Sequence, residues 1–228
     1  MIEKIKEITY TDLEDYLTQI ASLEGFRVAF SSSLSWEDQV LTHAIYSQDL
    51  PIRVFTLDTG RLFPETYSVI ESTRQRYQKE LEVYFPQSRA VENLLTEKGP
   101  LSFYESLENR KECCFIRKVE PLNRALKDVD IWITGLRADH SENRAGLELV
   151  EWDEQRRIVK INPLANWSLE EVKAYIKQYN IPYNVLQDKG FVSLGCQPCT
   201  RAIREGESFR AGRWWWEDNS KKECGLHS

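Results

Sequence analysis

Apolar residues recur along this chain in two alternating rhythms. Leu13, Tyr16, Leu17, Ile20 and Leu23 fall three and four residues apart and so mark one face of a helix. Thr11 and Glu14 in front of them match a capping box, and Gly25 suits the position just past the end. "FRVAFSSS" then reads as a short buried strand running into a serine-rich turn. A helix starting near Trp36 carries Val40, Leu41, Ala44 and Ile45 inward. "IRVFTLD" predicts a second strand, "PETYSVIESTRQRYQKE" a helix with proline at its start, and "LEVYF" a third strand. After a helical middle, "VDIWITGLR" supplies a fourth.

Strands that alternate with helices pair in parallel, so the pattern predicts an α/β fold with a mostly parallel, doubly wound sheet. "LELVEWDEQRRIVKINPL" breaks the pattern and reads as two strands joined by a charged turn, an antiparallel edge. "SLEEVKAYIKQY" is a helix capped by Ser168. From Asn180 onward the periodicity fades into a cysteine-bearing segment and a tail. With no repeat, low-complexity tract or linker, the expected organisation is one α/β domain over 1–216 and a C-terminal tail over 217–228.

Length and composition narrow this further. The 228 residues suffice for one sizeable core, and 41% hydrophobic with 29% charged residues describes an ordinary globular chain. A formal net charge of −6 argues against wrapping around nucleic acid, while leaving room for a local basic pocket. No apolar run approaches the ~18 residues of a membrane span, and the polar start lacks the apolar centre of a signal peptide. The expected compartment is the cytoplasm, where clustered cysteines more often bind metal or react than form structural disulfides.

Of the five cysteines, four come in pairs: Cys113 and Cys114 in "ECCFIRK", Cys196 and Cys199 in "LGCQPCTR". A Cys-x-x-Cys alone fits a redox pair, half a zinc site or part of a cluster site. A second pair elsewhere favours a four-thiolate metal site. Neighbouring side chains diverge, which makes it hard to aim both at one tetrahedral ion. A [4Fe–4S] cube has an iron for each thiolate and takes an adjacent pair more readily, so spacing leans toward iron–sulfur and leaves zinc open.

"AFSSSLSWED" joins a strand to a helix start, where backbone N–H groups and the hydroxyls of Ser31, Ser32, Ser33 and Ser35 can take an anion. The chain has no G-x-x-x-x-G-K-[ST] signature. "LDTGRLFPET" belongs at the carboxyl end of the second strand, on the edge where such folds bind ligands. Asp58, Thr59, Gly60 and Arg61 are substrate-binding candidates there, with Asp58 and Thr59 placed to orient a ribose.

Taken with "TGLRADHSENR", "GRWWWE" and the terminal "ECGLH", these motifs resemble the assimilatory adenylyl-sulfate (APS) reductases, which group with the phosphoadenylyl-sulfate (PAPS) reductases. The resemblance runs from about Phe26 to His227. It implies the fold of the adenine-nucleotide α-hydrolases, a [4Fe–4S] cluster on Cys113, Cys114, Cys196 and Cys199, and Cys224 as nucleophile. It also implies a thiolate attack on the sulfur of APS that releases AMP, and a thioredoxin-like dithiol that discharges the S-sulfonate as sulfite. Nucleophile and substrate are both negative, so cations must offset their repulsion. By position in the matching motifs these are Lys118, Arg144, Arg210 and Arg213, with His227 beside Cys224. The loop departs from the Ser-Gly-Gly-x-Asp-Ser of ATP-using relatives by placing serines where glycines would stand.

Three other readings compete. One is a reductase of PAPS or of both nucleotides, decided by whether a basic group meets the ribose 3′-phosphate. Another is a cluster-bearing adenylating enzyme that modifies tRNA, against which the acidic balance and the serine loop argue. The third is a non-enzymatic iron–sulfur redox sensor.

Overall fold

In the computed structural model, residues 2–140 and 146–217 are described, so Arg144, Cys224 and His227 lie outside the described residues. A short helix α1 (Ile2–Lys6) precedes α2 (Leu13–Ala21), whose buried face is Leu13, Tyr16, Leu17 and Ile20. The cap of α2 differs from the expected one by one residue. Asp12, in extended conformation, accepts the Asp15 N–H at 2.8 Å, and the Thr11 N–H is taken up by the Asp15 carboxylate at 2.9 Å. An aspartate is as good a cap as a threonine, and the sequence places the two side by side.

The alternation continues through β1 (Val28–Ser32), α3 (Trp36–Ser47), β2 (Arg53–Leu57), α4 (Pro64–Tyr77) and β3 (Glu82–Tyr84). The helical middle resolves into α5 (Ser88–Lys98), α6 (Leu107–Cys114) and α7 (Glu120–Leu126), followed by β4 (Ile131–Ile133). The expected edge pair is present as β5 (Val150–Asp153) and β6 (Ile158–Ile161), antiparallel with Val150 opposite Ile161, and α8 (Leu169–Gln178) follows. Ser168 and Glu171 form the capping box expected at its start. The fourth helix ends earlier than its pattern, because Gln78 turns left-handed at φ 52°.

Sheet order is β3-β2-β1-β4-β6-β5, and every pairing except β5 with β6 is parallel. Alternate residues of each strand face opposite sides. Val28, Phe30, Val54, Ile131 and Ile133 join α2, α3 and α8 in one core, whereas Ala29, Phe55 and Trp132 join Leu122, Ala125 and Leu126 of α7 in another. The sheet is therefore doubly wound, with a core on each face. Each fully buried Leu, Ile or Phe contributes roughly 1.5–3 kcal/mol, and Leu17, Ile20, Phe30 and Val40 are all at 0% exposure. Because β2 and β3 lie on one side of β1 and β4 on the other, the strand order reverses at β1. That switch point opens a crevice at the carboxyl ends of β1 and β4. No helix among the described residues is long and apolar enough to cross a membrane.

Candidate active site

A cavity of about 210 Å³ occupies that crevice. Ser31, Ser32, Ser33 and Ser35 line it from the β1–α3 loop, Thr56 and Thr59 from the end of β2, and Trp132 and Thr134 from β4 and just beyond it. Lys118, Arg210 and Arg213 bring the positive charge. The serine loop is held by its own side chains. The Trp132 indole N–H donates to Ser31 Oγ at 2.8 Å, the Leu34 N–H donates to Ser32 Oγ at 3.2 Å, and the hydroxyls of Ser33 and Ser35 lie 2.8 Å apart. Leu34 stands at φ 65°, a left-handed conformation that costs a non-glycine residue roughly 1–3 kcal/mol and persists where surrounding contacts impose it.

The other expected members of the second-strand motif are placed differently. Asp58 does not line the cavity; its carboxylate accepts the Gly60 N–H at 2.8 Å and the Tyr67 hydroxyl at 3.0 Å, closing a turn. Gly60, at φ 70°, sits in that turn, off the cavity. Arg61 points away to a second space, donating to the Pro100 carbonyl at 2.7 Å and packing over the Phe103 ring.

That second space, only about 10 Å³, is the cysteine site. Cys113, Cys114, Cys196 and Cys199 line it together with Arg61, Arg110, Arg117, Lys118 and Arg213. All four thiols are free and buried. The adjacent pair reaches one site because α6 ends at Cys114 and the chain continues as one wide π-helical turn, Phe115–Val119, before α7. Such turns insert an extra residue into a helix and re-aim the side chains around it, often at functional sites. Here Arg117 and Lys118, both buried, fall on the same side as the two cysteines. The Cys-x-x-Cys pair is brought in by a short helical turn, Gln197–Cys199, tied to the segment before Trp214: Thr200 bridges to Arg213, and the Trp214 N–H donates to the Cys199 carbonyl at 3.1 Å.

Lys118, Arg213 and Trp214 line both spaces, so the two are neighbours with two cations between them. Trp214 has the guanidinium groups of Arg110, Arg213 and Arg210 4.5, 4.7 and 5.9 Å from its ring centroid. Of the three successive tryptophans only this one is buried. Trp215 is 41% exposed, and Trp216 packs on Tyr104 at 4.4 Å between ring centroids. Gly195 leaves room for Arg213, since a Cβ there would stand 1.7 Å from the guanidinium and displace it. Glu217, the first residue of the expected tail, belongs to this wall, its carboxylate taking two hydrogen bonds from Arg110 at 2.9 and 2.8 Å.

Arg117 and Arg213 bring buried guanidinium charge close to the four thiols, and buried charge is costly unless it is matched. Nε of Arg117 and of Arg213 are buried without hydrogen-bond partners. Burial pushes the Cys196 thiol up, but Lys118, the Thr59 hydroxyl 3.2 Å from its sulfur, Arg213 and Arg117 outweigh that and hold it below its ordinary value. Cys199 is pushed up to about 12 by burial and by the charge of Cys196, and burial also raises Cys113. The surroundings therefore split the thiols, favouring the anion at Cys196 and the neutral form at Cys199 and Cys113. Among the described residues no three Cys, His, Asp or Glu side chains converge on a single ion.

Spacing along the chain does not mark Arg61, Arg110 and Arg117 as walls of the cysteine site, nor Trp132 and Thr134 as walls of the larger cavity. The last two carried a signal, since they end a strand at the sheet edge where ligands bind.

Fold and site together describe a doubly wound α/β protein with a polar crevice beside a thiol centre. The sequence profile of the phosphoadenosine phosphosulfate reductase domain matches residues 27–202, and the chain belongs to that family. Within it, the adenosine 5′-phosphosulfate reductase of Burkholderia cepacia is 53% identical over 215 residues, 94% of this chain and 86% of that protein. That of Allochromatium vinosum is 50% identical over 200 residues, 88% and 78% of the two chains. Among solved structures, phosphoadenylyl-sulfate reductase from Candida auris in complex with phosphate superposes with a TM-score of 0.73 at 29% identity, covering 89% of this chain and 96% of that one. Yeast FAD synthetase, at TM-score 0.53 and 16% identity over 88% and 72% of the chains, shares the fold alone.

Proposed function

We propose that this protein reduces adenosine 5′-phosphosulfate to sulfite and AMP, the activity that assimilates sulfate, with Cys224 as nucleophile and a dithiol protein of the thioredoxin type as reductant. The observation that carries this reading is the sharing of Lys118 and Arg213 by the serine-lined cavity and the four-cysteine site. The nucleotide lies in the cavity with its phosphosulfate against the serine loop, whose hydroxyls hold the anion. Lys118, Arg210 and Arg213 offset the repulsion between thiolate and substrate, and they stabilise charge developing on the departing phosphate.

The Cys224 thiolate attacks sulfur, the bond from sulfur to the bridging oxygen breaks, and AMP departs with that electron pair, leaving an S-sulfonate. A thiolate of the dithiol partner then attacks the Cys224 sulfur and expels sulfite. Its second thiol resolves the mixed disulfide, restoring Cys224 and oxidising the partner by two electrons. Residues 218 to 224, fully extended at ~3.3 Å each, reach up to about 23 Å from the anchored Glu217, enough to meet both substrate and partner. In this proposal residues 1–216 form the body and 217–228 the tail that bears the nucleophile, with Arg144 and His227 as further contacts to the substrate and to Cys224.

Cys113, Cys114, Cys196 and Cys199 are the residues that would hold a [4Fe–4S] cluster. When bound, it would hold the four sulfurs as thiolates and set an anionic centre beside Arg117 and Arg213. The direct test of the function is sulfite release from APS and from PAPS, side by side, with reduced thioredoxin. APS is the expected substrate, and turnover of PAPS alone would refute the assignment.

A smaller effect isolates the shared cations. Lys118→Ala and Arg213→Ala are each expected to lose ~2–4 kcal/mol of transition-state stabilisation in kcat/KM, as removal of a preorganised electrostatic donor does elsewhere. Gly195→Ala should lose activity in the same direction by displacing the Arg213 guanidinium. Unchanged kcat/KM in both cation variants would remove these residues from the mechanism.

A further inference from the structure

The first turn of α3 points two consecutive carboxylates into the region of the anion loop. Glu37 is matched, its carboxylate accepting from Arg137 Nε at 2.9 Å with both side chains buried. Asp38 has a different arrangement. It is 6% exposed, lines the cavity, and accepts the backbone N–H of Ser33. Its other face rests on Gly135 of the segment after β4, where a Cβ would stand 2.0 Å from Oδ1 and 3.1 Å from Cγ. Gly135 has no positive φ, so room for this carboxyl, not backbone freedom, is what requires a glycine there. A carboxyl in the first turn of a helix ordinarily satisfies the helix's own leading amides. This one reaches back past the Ser35 cap to an amide of the loop itself, next to left-handed Leu34.

We propose that Asp38, seated on Gly135, is the positioning residue of the serine loop. It withholds the Ser33 amide from the ligand to keep the loop open, and its charge sets how tightly the loop takes an anion. The inference rests on the reading of the cavity as the phosphosulfate site. The other charged side chains lining that cavity are Glu37, Lys118, Arg210 and Arg213, and Glu37 is committed to Arg137. The end of β2, the β4 segment and residues 192–195 bring hydroxyls and apolar side chains to the lining but no charge.

Burial raises the Asp38 carboxyl to about 7, with the Ser33 hydrogen bonds opposing and Glu37 adding to the rise. Below that pH the carboxyl is neutral and still accepts the Ser33 amide through its carbonyl oxygen. Above it a carboxylate stands beside the bound anion and weakens its binding. Asparagine keeps the acceptor and removes the charge.

The test is calorimetric titration of AMP into the full-length, anaerobically purified protein at about pH 6 and about pH 8.5. AMP's own titration is common to wild type and variants and cancels in their comparison. Asp38→Asn is expected to bind AMP within about twofold of wild type at the lower pH and at least about fivefold more tightly at the higher. Asp38→Ala and Gly135→Ala, which release the Ser33 amide or displace the carboxyl, should bind at least about tenfold more weakly at both. A role confined to folding would lower melting temperatures without separating the affinity–pH curves of wild type and Asp38→Asn. Superimposable curves overturn the inference alone, and they decide the matter even if Asp38→Ala does not fold. Failure of every protein, wild type included, to bind AMP overturns the site reading and the inference with it.

Discussion

Cys224→Ser protein is expected to keep its iron and bind AMP with wild-type affinity, yet to release sulfite from APS at least ~10³-fold more slowly, the scale on which loss of a nucleophile acts. The chain has five cysteines, and four are buried in one site, walled by cations and out of reach of a partner protein. A thiol that must first meet substrate and then a second protein cannot be one of these. Sulfur-labelled APS, mixed with wild type and no reductant, should leave label on the tail peptide and free one AMP per label. Reduced thioredoxin should then discharge the label as sulfite. Turnover by Cys224→Ser near the wild-type rate would assign the chemistry to another residue.

Anaerobically purified protein should carry about four irons per chain, and Cys113→Ser should carry less than about one. Such a loss is expected to be larger than removal of one ligand from an open site would cause, because in the proposed site the cluster also faces buried Arg117 and Arg213. Without it, buried Arg117 and Arg213 lie beside protonated thiols in a space of about 10 Å³. Cys113→Ser is therefore also expected to melt at a lower temperature, and to lose AMP affinity through displacement of Lys118 and Arg213, which line both spaces. Iron and sulfide analysis, thermal melting and AMP titration read the three effects separately. Stoichiometric zinc without iron in wild type made under iron-replete, anaerobic conditions would defeat the cluster assignment, as would a full complement of iron in Cys113→Ser.

Much of the fold was legible in the chain itself. The three- and four-residue spacing of Leu13, Tyr16, Leu17 and Ile20, and the short apolar runs at β1, β2 and β4, reflect burial along single elements, which needs no knowledge of neighbours. The edge pair β5–β6 announced itself through its connecting charged turn. The motif cysteines and the serine loop were legible for the same reason, since each is a local run with its own chemistry. What was not legible was local competition between equivalent groups, such as the choice of Asp12 over Thr11 as cap.

The sequence by itself thus determined the elements, the class of sheet and the list of reactive side chains, because each depends on residues within a turn or two of one another. Only the tertiary structure decided which of them meet. Strand order placed the reversal at β1, and with it the crevice. A wide turn after Cys114, where simple helical spacing predicts none, brought two adjacent cysteines and Lys118 to one side. Arg61 left the nucleotide cavity for the cysteine site, and Arg213 came to lie between the two spaces, against Gly195 and beside Cys196. Asp38 found its seat on Gly135, almost a hundred residues away. Contacts of this kind follow from how helices and strands pack around a whole core, and side-chain spacing along the chain carries no record of that packing.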